Sequence, residues 1–254
     1  MNGEDFSLAG LRLTALGSGA LWWAAQRLLC VSDLHLGKSE RIARRSGGQL
    51  PPYDTRDTLT RLAADLARTN AAQVVCLGDS FDDLGAARAL PEAERLWITQ
   101  LQAGRRWIWI EGNHDPGPIE MGGTHLAELP LAPLCFRHIA QSGASAEVSG
   151  HYHPKVELPL RGRMISRPAF LIDSDRVILP SYGTYTGGLR CTAEPLQTLM
   201  RHDATAILTG PHPCTVPMPR ISNAVYQNAV YHNAEAGSAR WEKPDLTWHP
   251  GKAR

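Results

Sequence analysis

The sequence predicts an α/β protein, a sandwich of two mixed sheets flanked by helices. Three observations carry that prediction. Short, wholly apolar runs at Leu28–Val31, Val74–Leu77 and Trp107–Ile110 alternate with stretches of helical periodicity, as strands buried on both faces do in α/β folds. The second half of the chain is richer in strand-like runs. At 254 residues, 43% apolar and 20% charged, the chain is long enough to bury one large core or two small ones.

Taken in order, Leu11 and Leu13 alternate with polar or small residues, Gly17-Ser18-Gly19 can turn, and Leu21-Trp22-Trp23 resumes an apolar run, which predicts an opening hairpin. Leu28–Val31 reads as a buried strand ending at Asp33-Leu34-His35. Lys38 to Arg45 is expected as a short helix running into a loop at Gly47-Gly48 and Pro51-Pro52. It carries Lys38, Arg41, Arg44 and Arg45, the densest basic patch in the chain. From Thr55 to Thr69, Leu59, Leu62, Ala63 and Leu66 recur at helical spacing, with Asp54 placed to cap the first turn.

Val74–Leu77 delivers Gly78-Asp79. A further helix is expected to start near Pro91, carry Leu96, Trp97 and Leu101, and stop at Gly104. Trp107–Ile110 then delivers Gly112-Asn113-His114-Asp115. Leu134–Phe136 leads to His138, and Ala146–Val148 leads to Gly150-His151-Tyr152-His153-Pro154. Ala169–Ile172 and Val177–Leu179 read as a hairpin turning at Asp173-Ser174-Asp175. A domain of residues 1–210 is expected. The remainder, 211–254, is rich in Pro and Asn, carries the near-repeat Asn223–Gln227 and Asn228–His232, and reads as an irregular or partly disordered appendage.

A formal net charge of +1 provides no whole-molecule attraction to polyanions, so contact with nucleic acid would have to come from a local patch. Met1 to Asp5 has no basic, then apolar, leader pattern, and no apolar run is long enough to cross a bilayer, so a cytoplasmic protein with no membrane partner is expected. The five cysteines show no Cys-x-x-Cys spacing, and Cys30, Cys76 and Cys135 sit in strand-like runs as buried thiols would.

Singly, the polar residues behind these strands have ordinary explanations. Asp33-x-His35 can be a solvated loop, Gly78-Asp79 a turn and His138 a hydrogen-bonded core histidine. Together they are harder to dismiss, because five apolar runs end in ligand-type residues and strand ends of one sheet converge on one edge. His151 and His153 alternate along an extended segment and so point the same way. Carboxylates, an amide and imidazoles without a thiolate favour manganese or iron, with zinc possible. Seven such side chains exceed the needs of one ion and suit two bridged ions, the arrangement that clamps both oxygens of a phosphoryl displacement.

With these motifs in hand, the chain resembles the calcineurin-like metallophosphoesterases at Asp33-Leu34-His35, Gly78-Asp79, Gly112-Asn113-His114-Asp115, His138 and Gly150-His151-Tyr152-His153. The resemblance implies a four-layer α/β/β/α sandwich and two divalent metal ions. Asp33, His35 and His153 would hold one ion, Asn113, His138 and His151 the other, and Asp79 would bridge them. It also implies that His114 meets the phosphate and protonates the leaving oxygen, with Asp115 orienting it. Asp33 to Lys38, His151 to Pro154 and Leu179 to Gly188 are further similar to the bacterial ligase-associated metallophosphoesterases. That implies a manganese-dependent DNA endonuclease or phosphodiesterase working on single-stranded DNA beside a DNA ligase, a helicase and an exonuclease. Asp82 departs from that narrower pattern, where a histidine is expected.

Three readings follow. The first is a dinuclear phosphodiesterase acting on DNA, with Lys38, Arg41, Arg44 and Arg45 as a backbone guide or merely a solvated face, and Tyr182 and Tyr185 as base-stacking or core aromatics. The second keeps the chemistry on a small nucleotide, phosphomonoester or sugar-nucleotide pyrophosphate. The third is a non-catalytic scaffold for repair partners. Gly112 is expected to provide the backbone freedom of a sharp turn.

Overall fold

A computed structural model describes residues 2–117, 120–160 and 163–221. Strands β1 (Gly3–Leu8) and β2 (Leu11–Leu16) form a hairpin about Ala9-Gly10, whose φ values of 50° and 76° are those of a two-residue turn matched to strand twist. Strand β3 (Leu21–Trp23) pairs antiparallel with β2, the hairpin expected from Leu11 to Trp23, and β4 (Leu28–Val31) pairs antiparallel with β3. Helices α1 (Lys38–Ser46) and α2 (Asp54–Thr69) follow as predicted. Asp54 does not cap α2, however. Its carboxylate accepts from Ser39 N at 3.2 Å and Ser39 Oγ at 2.5 Å, tying α1 to α2.

Strand β5 (Gln73–Leu77) runs parallel to β4. Helix α3 (Leu84–Ala89), which the sequence pattern does not predict, is a short helix capped by Asp83, whose side chain accepts Ala86 N at 2.6 Å. Helix α4 (Glu92–Gln102) starts after Pro91 as expected, and β6 (Arg106–Ile110) and β7 (Thr124–Leu126) extend the parallel part. The first sheet therefore runs in simple order from β1 to β7.

The second sheet collects β8 (Glu128–Leu131), β9 (Leu134–Arg137), β10 (Glu147–Ser149), β12 (Arg163–Ile172) and β13 (Arg176–Ile178), with β11 (Lys155–Leu160) paired to β12. The predicted hairpin is β12 with β13, Leu171 facing Ile178 and Ile172 facing Val177. After α5 (Glu194–Leu199), β14 (Thr205–Leu208) pairs with β12 and β15 (Cys214–Pro217) with β14. Residues 214–217 were expected in an irregular appendage. They form an edge strand instead, in a compact unit that runs to Pro219. The near-repeat at 223–232 lies outside the described residues.

Alternation along the strands builds three cores. Leu29, Val31, Val74, Cys76, Trp107 and Trp109 pack under Leu59, Leu62 and Leu66 of α2 and Ile98 of α4. Their neighbours Leu28, Cys30, Val75, Leu77, Ile108 and Ile110 face Phe136, Val148, Phe170 and Val177 of the other sheet. Ala169, Leu171 and Ile178 meet Leu196 of α5. The result is two mixed sheets flanked by helices, the predicted α/β sandwich. Runs apolar on every residue are what such double burial requires. Cys30 and Cys76 are buried thiols as expected, whereas Cys135 is half-buried. Among the described residues no helix is long and apolar enough to cross a membrane.

Candidate metal centre

The C-terminal ends of β4, β5, β6, β9 and β10 each release a loop bearing the predicted polar residues. Asp33, His35, Asp79, His151 and His153 all hold φ between 44° and 69°. Non-glycine residues rarely adopt that conformation, which costs about 1–2 kcal/mol each and persists only where surrounding structure imposes it. Here the loops brace one another. Asp33 N and His35 N donate to the carbonyls of Gly78 and Asp79 at 3.3 and 2.9 Å, Leu36 N to that of Ser80 at 3.0 Å, and Gly150 N to that of His138 at 2.9 Å.

Gly112 has no such φ, and the role expected for it is corrected. A Cβ there would overlap the backbone nitrogen and carboxylate of Asp79, so the position requires space, not backbone freedom.

Six ligand-type side chains gather into two adjoining triads. In each of Asp33-His35-His153 and Asp79-His138-His151, one ligand atom per residue lies within 4.8 Å of the others. The triads meet where Asp33 Oδ1 lies 3.9 Å from His138 Nδ1. Asn113 joins the second, its Oδ1 2.9 Å from His138 Nε2. All seven residues predicted as metal ligands are thus brought together.

The hydrogen bonds behind the ligands decide which atoms face inward. His138 Nδ1 lies 2.7 Å from the Leu77 carbonyl, which can only accept, so Nδ1 carries a hydrogen and Nε2 is the nitrogen turned toward the site. His35 Nδ1 lies 2.9 Å from Asp82 Oδ1, which leaves His35 Nε2 inward. Asp33 Oδ2 is taken by Ser32 Oγ and by His151 N, leaving Oδ1 facing His153 Nε2 at 3.1 Å.

A divalent cation fits this arrangement. Asp33 Oδ1, His35 Nε2 and His153 Nε2 are buried, and apart from the 3.1 Å contact between Asp33 Oδ1 and His153 Nε2 they have no hydrogen-bond partner. Around His138 Nε2 stand the acceptors Asn113 Oδ1 and, at 3.4 Å, Asp79 Oδ2, with His151 Nδ1 at 3.2 Å, a cluster that favours a positive charge at its centre. The protein alone supplies that charge with a proton. Burial opposes it, but the bond to Asp79 and the charge of Asp33 outweigh burial and lift His138 to about 9. Burial, followed by the positive His138, pushes His151 down to about 4, so its nitrogens stay neutral.

Other expectations are revised. Asp115 does not orient His114. Asp115 Oδ1 accepts Asp79 N and Gly112 N at 3.0 and 3.1 Å, and Oδ2 accepts Ser80 N and Phe81 N at 2.8 and 3.1 Å, so it clamps the β5 loop to the β6 loop. Burial and then the neighbouring Asp79 push its carboxyl up to about 7 against those four donors. His114 is held by its Nδ1 on the Asp82 carbonyl at 2.9 Å, and its Nε2 lies 3.9 Å from Asp79 Oδ2.

The basic patch is not a free cationic surface. Lys38 and Arg41 pair with Asp82, Arg44 with Glu40 and Asp83, and Arg45 with Asp83. Tyr182 is 1% exposed and its hydroxyl donates to Asp65 Oδ2 at 2.8 Å, a core role.

Asp82, in sequence only a departure from a pattern, is fully buried behind His35. Burial raises its pKa, and His35, Lys38 and Arg41 more than offset this, holding the carboxyl well below the usual range. Its place three residues after Asp79 was the available signal.

Comparison with known proteins agrees with this geometry. Residues 26–202 match the family described as calcineurin-like phosphoesterase. The crystal structure of Pseudomonas putida nuclease MPE is similar at 30% sequence identity and a TM-score of 0.66, over 84% of this chain and 100% of that one. No curated protein sequence matches.

Proposed function

Because the chain belongs to the calcineurin-like phosphoesterases, hydrolases of phosphoric ester bonds, we propose that it is a dinuclear phosphodiesterase that cuts single-stranded DNA. The observation that carries this reading is the pair of adjoining triads, Asp33-His35-His153 and Asp79-His138-His151. Asp33, His35 and His153 would hold one ion, Asn113, His138 and His151 the other, with Asp79 available to both. Manganese suits the nitrogen and oxygen donors best, with iron or zinc as alternatives. Two such ions, when bound, neutralise the phosphate oxygens and lower the pKa of an attacking water.

The chain's own residues supply the rest. The Asp82 carbonyl fixes the Nδ1 hydrogen of His114, so Nε2 is the atom that addresses substrate. Protonated there, His114 donates to the leaving oxygen. Asp115 keeps the Asp79 loop in register with the loop bearing Asn113 by accepting the backbone N–H groups of Asp79 and Gly112.

DNA as substrate is supported by the similarity to a nuclease. The segments resembling ligase-associated enzymes support a DNA ligase, a helicase and an exonuclease as companions. The test is hydrolysis by metal-stripped protein reloaded with Mn²⁺, against single- and double-stranded DNA, nucleotides, a phosphomonoester and a sugar-nucleotide pyrophosphate. Cleavage of single-stranded DNA that chelator abolishes is expected. Hydrolysis confined to the small substrates would replace the DNA reading, and hydrolysis of none would leave a scaffold.

A further inference from the structure

Residues 181–188 run along the Asp33 side of the centre. Ser181 Oγ and Gly183 N both donate to the Asp33 carbonyl, at 2.9 and 3.1 Å. At the far end, a Cβ on Gly188 would strike the backbone carbonyl of His153. Between these anchors Tyr182 is committed to the core, but Tyr185 is half-buried and held at φ 62°, a conformation that an aromatic residue rarely adopts. Its ring leans on that of Tyr53, with centroids 5.7 Å apart and planes at 54°.

Tyr53 is 53% exposed, among the most exposed of the large apolar side chains described. Two residues later Thr55 Oγ1 accepts Gly37 N at 2.9 Å, in the loop that carries His35. Both rings therefore rise from segments fastened to the Asp33, His35 and His153 loops. The exposed Tyr53 ring contributes little to the core, and the strained backbone at Tyr185, on a segment anchored to the Asp33 and His153 loops, points to use.

Resting on the phosphodiesterase reading above, we propose that Tyr53 and Tyr185 form a stacking subsite for an unpaired nucleobase flanking the scissile phosphate. Aromatic rings stack on any base, so the subsite selects strand state without selecting sequence. A paired base has both faces occupied by its neighbours and cannot enter. This subsite, more than the ion-paired basic patch, makes single-stranded nucleic acid the substrate class.

The experiment compares two single-stranded oligonucleotides with the Mn²⁺-loaded enzyme. One is base-bearing throughout, and the other has stable abasic spacers around a single cleavage position. Wild-type protein is expected to cleave the base-bearing strand with a KM about 5- to 150-fold lower, the range of one stacked base. Tyr53→Ser should erase that preference, as should Tyr185→Asn, which also suits the left-handed φ and so folds. Tyr53→Phe and Tyr185→Phe should keep it. Equal KM values on both strands for wild type would overturn the subsite while leaving the nuclease reading intact. Failure to cleave either strand would overturn the nuclease reading and the subsite with it.

Discussion

Replacing Asp82 by Asn should both destabilise the protein and weaken its metal affinity. Asp82 is 0% exposed, and the side chains of Lys38 and Arg41, which pair with it, are 10% and 11% exposed. The amide keeps the volume but removes the charge, leaving two nearly buried cations without a counter-charge. Loss of one member of a buried network costs about 3–5 kcal/mol. In a domain of this size that lowers Tm by roughly 6–20 °C at neutral pH.

Asp82 also holds His35 Nδ1, so the ion held by His35 should bind about 10- to 100-fold more weakly. The pH dependence has a definite sign. The folded pKa of Asp82 is depressed, so its stabilisation is complete above the unfolded value near ~3.9 and is lost as pH falls through the folded value. Urea denaturation of both proteins at pH 7 and at pH 3, with a Mn²⁺ titration at pH 7, is the assay. The gap between them should narrow on acidification. A loss below about 1 kcal/mol at pH 7 together with unchanged Mn²⁺ affinity would refute the reasoning.

Four further outcomes follow from the site. Asn113→Ala should lose metal, whereas His114→Ala should retain it and slow turnover by about 10²- to 10⁴-fold; metal content measured beside kcat separates the two, and equal emptying would contradict the division. Gly112→Ala should destabilise by about 1–3 kcal/mol by overpacking, visible in denaturant melts, because its Cβ has no room beside Asp79. Tyr182→Phe should cost about 1–3 kcal/mol by removing a donor from the buried Asp65 carboxylate, with stability the readout. Mn²⁺ binding near pH 7 should release a proton into weak buffer, since His138 titrates at about 9, and His138→Ala should remove that release.

Much of the centre was legible because sheet strands buried on both faces leave an unmistakable mark. Leu28–Val31, Val74–Leu77 and Trp107–Ile110 are apolar at every position, and the ligands follow within a few residues. The less regular strands were not. Residues 124–131 pair over three or four positions and mix exposed with buried residues, and Cys214–Pro217 is an edge strand carrying a proline.

Partnerships between distant segments were equally hidden. Apart from Glu40 beside Arg44, the acids that neutralise Arg41, Arg44 and Arg45 lie about forty residues away, at Asp82 and Asp83. Asp115, next to His114 in sequence, turned instead to the backbones of Asp79, Ser80, Phe81 and Gly112. Adjacency in the chain is a weak guide to which group a carboxylate serves, because four buried N–H donors outweigh one neighbouring ring.

The central claim, two ions acting together in one phosphodiesterase, is tested most directly by titrating metal-stripped protein with Mn²⁺ while following cleavage of a single-stranded oligonucleotide. Activity should rise to a plateau at two equivalents per chain. A plateau at one equivalent, or cleavage that stripping does not abolish, would contradict it.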